Sequence, residues 1–302
     1  MTRRIAVTLT LVLAVLAVLA IGARSAGAQL ADNLGALTGD NAGKYLGPLP
    51  DALSGTMNAA IFTSGKVPKV GLELSIGIKM MGVAFADEDR RFTPTDPPGF
   101  TSVPPVQQVP TVIGGTDAVS QSGQGGATQY YPGGFDIGEF LFAAPQLTIG
   151  SLMGTRAVLR WASGSFGSDK LIDKVSLFGI GAQHSLSQYM PAMPVDLALG
   201  VFYQSFEIND SLLDTKAFHM DVTASRSFPI LQPYAAIGFD TFKMDAAYED
   251  TGTGTNISVD FDRTSHVHLT AGLLARLAFA TLHAEANIAA TNGLAVGLSF
   301  GR

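Results

Sequence analysis

The chain has 302 residues, no Cys, 15% charged side chains and a formal net charge of −6. The lack of Cys excludes disulfides, thiolate catalysis and lipid attachment at cysteine, and the acidic balance argues against nucleic acid as a partner. Soluble domains carry about 25% charged residues, so a chain this sparsely charged, with 34 Gly and a mean hydropathy of +0.27, points to lipid.

Residues 1–28 read MTRRIAVTLTLVLAVLAVLAIGARSAGA. Arg3 and Arg4 supply a positive start, an apolar run extends to Ile21, and Ala26-Gly27-Ala28 supplies small residues at the −3 to −1 positions. This is the pattern of a secretory signal peptide cut after Ala28. Beyond it no apolar run reaches the roughly 18 residues of a spanning helix. A hydrophobic exported chain then has one other way to satisfy its backbone in lipid, a closed β-barrel.

Residues 29–53 follow as a helical plug or cap. Leu30, Leu34 and Leu37 have helical spacing, Gly39 is a stop, and Pro48 and Pro50 forbid continuation. From residue 54 to 302 the chain reads as barrel. In "VGLELSIGIK" Leu72, Leu74, Ile76 and Ile78 oppose Glu73, Ser75, Gly77 and Lys79. The same period of two recurs in "RAVLRWA", "VDLALGVFYQ", "AFHMDVT", "PYAAIGFDTF", "HVHLTAGLLAR" and "TLHAEANIAA". The chain closes on "LAVGLSFGR", where Leu294, Val296, Leu298 and Phe300 oppose Ala295, Gly297 and Ser299. Apolar residues facing lipid and polar or tiny ones facing a lumen are the dyads of a transmembrane barrel.

Tight links are expected near 64–69, 151–154, 188–194, 227–230 and 278–280. Polar loops are expected at 162–173, 207–215 and 249–256, with a long Pro- and Gly-rich loop at 87–134. About eleven strands carry signal, and single-chain bacterial barrels have an even number. A further strand is therefore expected inside 100–134, or else the N-terminal segment crosses the lumen. The fold class is all-β: a transmembrane antiparallel barrel of about 10–14 strands behind a short helical plug or cap.

Three stretches carry a resemblance: "GDNAGKYLGPLPDALSGTMNAAIF" (39–62), "PQLTIGSLMGTRAVLRW" (145–161) and "FGIGAQHSLSQYMPAMPVDLALGVFYQ" (178–204). They resemble an uncharacterised family of exported bacterial outer-membrane barrels, which in turn is similar to the long-chain fatty-acid transporter group. The resemblance implies an N-terminal hatch and passage of a hydrophobic solute. This chain is shorter than that group, and no ligand-contacting motif carries over.

No catalytic or cofactor-binding residue is assigned. With the strands at 214–226, 231–247 and 257–277 paired around turns near 228 and 252, His219, Gly238 and His266 share one row, and Asp221, Ala236 and His268 the next. His219, Asp221, His266 and His268 are lumen candidates for a metal; a solvated polar lining accounts for them as well. His184 and Ser185 point oppositely, as do His184 and Ser187, so "HSLS" lacks the geometry of a lipid-acting acyl hydrolase. Inward charges (Glu73, Lys79, Arg156, Arg160, Asp196, Asp240, Arg276, Glu285) are expected to close the lumen by mutual ion pairs. Gly200, Gly238, Gly272, Ala295 and Gly297 leave room for a plug or a slim ligand.

The sequence thus predicts an outer-membrane barrel, not an enzyme, that binds or passively admits a hydrophobic small molecule. The alternative is a structural or surface-interaction barrel without transport. Its partners are outer-membrane lipid and, through the C-terminal strand, the barrel-assembly machinery. No cofactor is implied.

Overall fold

The computed structural model describes residues 26–301, except 38–39, 106, 167–171, 191, 209–211, 251–253 and 263–265. Most of the expected signal peptide, residues 1–25, lies outside the described residues. Among the described residues no helix is long and apolar enough to cross a membrane.

Among the described residues three helices come first: α1 (Ala26–Gly35), α2 (Asp40–Leu46) and α3 (Pro48–Met57). Pro48 and Pro50 do not end helical structure, as the sequence suggested; they start α3. Proline fits the first turn because its missing N–H is one that a helix start leaves unpaired.

The wall is built from β1 (Val70–Ala84), β6 (Glu139–Leu152), β7 (Thr155–Phe166), β8 (Ile172–Ser185), β9 (Asp196–Ile208), β10 (Leu213–Ser225), β11 (Leu231–Asp250), β13 (His266–Leu277), β14 (Ala280–Ile288) and β15 (Gly293–Gly301). Each pairs antiparallel with its neighbour; β10 meets β11, and β1 meets β15 with Met81 opposite Ala295, so the ten strands close. The 20-residue β11 pairs with β13 through Leu231–Asp240 and, past the wall, with β12 (Thr255–Asp262) through Lys243–Asp250.

The two ends of the barrel differ. One carries the links 153–154, 186–195, 226–230 and 278–279, and the other carries the insertion 85–138. At that long-loop end the wall runs further than expected: β7 reaches Phe166 and β9 reaches Ile208, inside segments read as loops. Hydrophobic dyads mark only the lipid band, whereas backbone pairing continues into the polar tips. Residues 64–69 are likewise not a hairpin link, because they join the lumen segment to β1.

Among the described residues, none inside 100–134 forms the expected extra wall strand. The insertion instead holds β2 (Arg91–Phe92) paired with β3 (Val109–Pro110), and β4 (Val119–Ser122) paired with β5 (Thr128–Tyr131), all outside the barrel sheet. It is folded onto the helices. Leu34, Leu37, Leu46 and Met57 share one buried core with Val109, Ile113 and Tyr131 of the insertion and with Leu177, Phe206, Phe242 and Met244 of the wall. Val112 N–H donates to Tyr45 O at 2.9 Å, and Asn41 and Thr95 exchange two bonds of 2.8 Å.

The period-two faces hold around the wall. Leu74, Ile76, Trp161, Val201, Met220, Ile237, Leu269, Leu282 and Leu294 are exposed outward, while Arg160, Gln204, Thr223, Asp240, His268 and Glu285 are buried inward. Leu273, near the middle of β13, is outward and 46% exposed. Leu273→Arg is expected to destabilise the barrel in lipid by about 2–4 kcal/mol, with Leu273→Phe near neutral. Urea unfolding in vesicles checks this; equal midpoints for the two variants would mean that this face does not meet lipid.

Candidate functional site

The lumen is filled by the chain itself. From the C-terminus of α3, residues 57–69 descend from the long-loop end to the short-turn end, where β1 begins. An extended segment exposes a carbonyl and an N–H at nearly every residue, and inside a closed wall these need partners. Inward side chains supply them. Arg160 Nη1 and Nη2 donate to Met57 O at 3.0 Å and Ala59 O at 2.8 Å, while its Nε donates to Gln146 Oε1 at 2.7 Å. Gln146 Nε2 donates to Ile61 O at 3.1 Å. Glu285 accepts from Ala60 N–H at 2.7 Å through Oε1 and from the Tyr234 hydroxyl at 2.6 Å through Oε2. Lower down, Arg156 Nη2 donates to Ser64 O at 2.8 Å, and Gly65 N–H donates to Ser225 Oγ at 3.0 Å.

The inward charges therefore do not simply neutralise one another. Arg156 pairs with Glu73 at 3.0 Å as expected, but Arg160 and Glu285 are spent on plug backbone. The small inward residues divide similarly. A Cβ at Gly200 would collide with the Phe62 ring, and Ala295 packs on Ala59 and Ala60, so both make room for the plug. Gly272 and Gly297 make room for wall side chains, Tyr234 and His283.

At the mouth, Asn33 Nδ2 donates to the Tyr45 hydroxyl at 2.9 Å, which donates to Gly133 O at 3.0 Å. Burial pushes this hydroxyl up to about 12 against the opposing Asn33 bond, so it stays a donor at neutral pH and ties α2 to the insertion.

The histidines gather on β10, β11 and β13. His219 lies opposite Asp240, and Asp240 opposite His266; Asp221 lies opposite Gly238, and Gly238 opposite His268. The central strand is thus two residues from the expected register, and Asp240, not Gly238, stands between the rings. Its Oδ1 is 2.6 Å from His219 Nδ1 and its Oδ2 is 2.6 Å from His268 Nδ1. His268 Nε2 meets Asn287 Oδ1 at 2.8 Å. Asp221 stands aside: its Oδ2 accepts from Thr223 at 2.7 Å and is 3.9 Å from His219 Nε2. His266, half-buried, is not part of the triad formed by His219, Asp240 and His268, whose ligand atoms lie within 4.8 Å of one another. The two short contacts tie β10 and β13 to β11 as a cross-strand clasp, and the same three residues are the ones that could hold a divalent cation.

His184 contacts Thr155 Oγ1 at 2.7 Å, Gln188 Nε2 at 2.9 Å and the Tyr189 hydroxyl at 3.0 Å. None of these is a serine, and Ser187 Oγ accepts from Leu197 N–H.

Among the described residues two cavities stand out. One, of about 550 Å³, is an apolar groove over β1, β6, β14 and β15 near the long-loop end. Its rim is the outward Leu141, Ala286, Leu294 and Val296, and its lining reaches the buried Met81, Val83 and Ala295 where Gly82 and Gly293 thin the wall. The other, of about 440 Å³, opens at the short-turn end and is polar.

No curated protein matches the chain. Among solved structures it is similar to the Ralstonia pickettii toluene transporter TbuX at 9% identity, covering 82% of this chain and 92% of that one with a TM-score of 0.28. It is also similar to OmpT, an outer-membrane protein of Vibrio cholerae, at 8% identity over 75% and 76% of the two chains with a TM-score of 0.25. A BenF-like porin from Pseudomonas fluorescens Pf-5 gives 8% identity, 76% and 98% coverage and a TM-score of 0.20. Scores this low carry no argument about this chain, whose barrel is argued from its own strand pairing. The family model is decisive where these are not: it spans residues 3–302, and the chain belongs to the family of unknown function DUF6588.

Proposed function

We propose that this barrel sits in the outer membrane, is closed to ions by the segment that starts at Gln29 and ends at Lys69, and binds a hydrophobic small molecule for passive uptake at the apolar groove in its wall. The groove carries the reading. It spans outward Leu141 and Leu294 and inward Met81 and Val83, so an apolar solute dissolved in lipid meets a recess of about 550 Å³ without crossing the polar lumen. That volume suits a small organic ligand. Residues 39–62 resemble exported barrels that are in turn similar to the fatty-acid transporter group, and this agrees with a hatch inside such a barrel. The outward apolar band supports lipid as a partner. The terminal strand β15, with the Phe300 ring 6.3 Å from that of Phe279, supports recognition by the assembly machinery. The short-turn end then faces the periplasm. The reading includes no catalysis, in keeping with the non-serine partners of His184.

Purified protein in planar bilayers is expected to conduct no ions, and mass spectrometry of its organic extract is expected to show an apolar molecule enriched over bulk lipid. Ala286→Trp fills the groove from its exposed rim and should cut that enrichment about tenfold, the effect of about 1.4 kcal/mol. An ohmic pore would remove the closed-barrel reading. Equal enrichment in wild type and variant would favour the scaffold without transport.

A further inference from the structure

The second cavity has a chemistry opposite to the groove's. It lies between the lower lumen segment and the inward faces of β1, β6, β7, β13 and β14, and four cations line it (Lys66, Lys79, Arg156 and Arg276) against one carboxylate, Glu73. Glu73 is committed to Arg156 at 3.0 Å. Arg156 is otherwise held by Gln183 at 2.9 Å and Ser64 O at 2.8 Å. Lys66, Lys79 and Arg276 have no carboxylate within ion-pair distance among the described residues, and the Arg276 side chain makes no hydrogen bond to any of them.

His283 supplies an independent pointer. It is 5% exposed, lines the cavity, and lies with Nδ1 3.1 Å from Lys79 Nζ. A bond donated by Lys79 to Nδ1 leaves the ring proton on Nε2. That Nε2 is buried and has no partner among the described residues. An orphaned buried donor is costly, and here it stands beside unneutralised cations in a space large enough for a ligand. We infer that this cavity binds a small organic anion, a carboxylate or a phosphate ester, with Arg276 and Lys66 at its open side and Lys79 and His283 at its floor. The site is separate from the apolar groove and does not depend on what that groove binds.

The phosphate of a lipid headgroup shares this chemistry with a free solute, so the test has an arm for each. Full-length protein in nanodiscs of phosphatidylcholine is titrated calorimetrically with succinate and glucose 6-phosphate, with glucose as the neutral control. At least one anion should bind, and glucose should not. Arg276 is exposed and belongs to no buried core cluster, so Arg276→Gln should keep the heat-modifiable mobility of wild type while weakening the anion about tenfold to a hundredfold, the range of one charge-assisted bond. Lys66→Gln should weaken it in the same sense. Repeating the titration in nanodiscs containing phosphatidylglycerol separates the sources: competition assigns the site to a headgroup, and unchanged binding assigns it to a free anion. Failure of both anions to bind, or binding indifferent to Arg276→Gln, overturns the proposal and leaves the groove reading untouched.

Discussion

Arg160→Ala is expected to destabilise the barrel by about 3–5 kcal/mol and to make it leak ions. The guanidinium is fully buried and spans Met57 O, Ala59 O and Gln146 in one planar fork. Removing it orphans Ala59 O and the Gln146 amide oxygen, leaves Met57 O to Gln204 Nε2 alone, and leaves a void beside the Phe202 ring, whose centroid is 5.5 Å from the guanidinium carbon. Arg160→Lys should recover only part of the loss, because one ammonium cannot reproduce the fork. The readouts are the urea midpoint of the heat-modifiable gel shift and planar-bilayer conductance. A midpoint equal to wild type would mean that the plug is held elsewhere.

Asp240→Ala is the second large effect, at about 3 kcal/mol. It strips the acceptor from two buried imidazoles at once and unclasps β10, β11 and β13 on the lumen side. Asp240→Asn, which keeps one carbonyl acceptor, should lose about half as much. A chelator added to wild type is expected to leave the urea midpoint where it was, since the triad is closed by its own bonds. A chelator-induced drop matching the Asp240→Ala loss would instead identify His219, Asp240 and His268 as ligands of a structural metal.

The two faces of the wall were legible in the sequence because a strand alternates with period two, and lipid on one side makes that alternation chemical. The row of histidines was only partly legible for the same reason. A slip of two residues on β11 keeps every side chain on its face, so the pattern that finds the lumen cannot say whether Gly238 or Asp240 stands beside His219. Arg160 shows a different limit. Parity placed it inward among charges expected to pair, yet its cross-strand neighbours are Gln146 and Gly179, with no carboxylate in that row. An inward cation with no opposing anion is a signal that the backbone of another segment supplies the acceptors. The insertion 87–134 was opaque because its apolar residues follow neither period; they meet α1 and α2 one at a time, as Val112 meets Tyr45.

The path of residues 57–69 constrains the order of biogenesis. The helices lie at the long-loop end, while the chain enters β1 from the opposite end. Threading helices about 10 Å across through a finished ten-strand cylinder would mean stripping Arg160, Gln146 and Glu285 of their solvent before they found their carbonyls and N–H. The cylinder must instead wrap a passenger already in place, and the seam that locks it in is the pairing of β1 with β15, the first wall strand with the last. The leading segment thus acts as a mandrel. Its loss would be felt as slow or misregistered closure during insertion, before any folded barrel exists to leak.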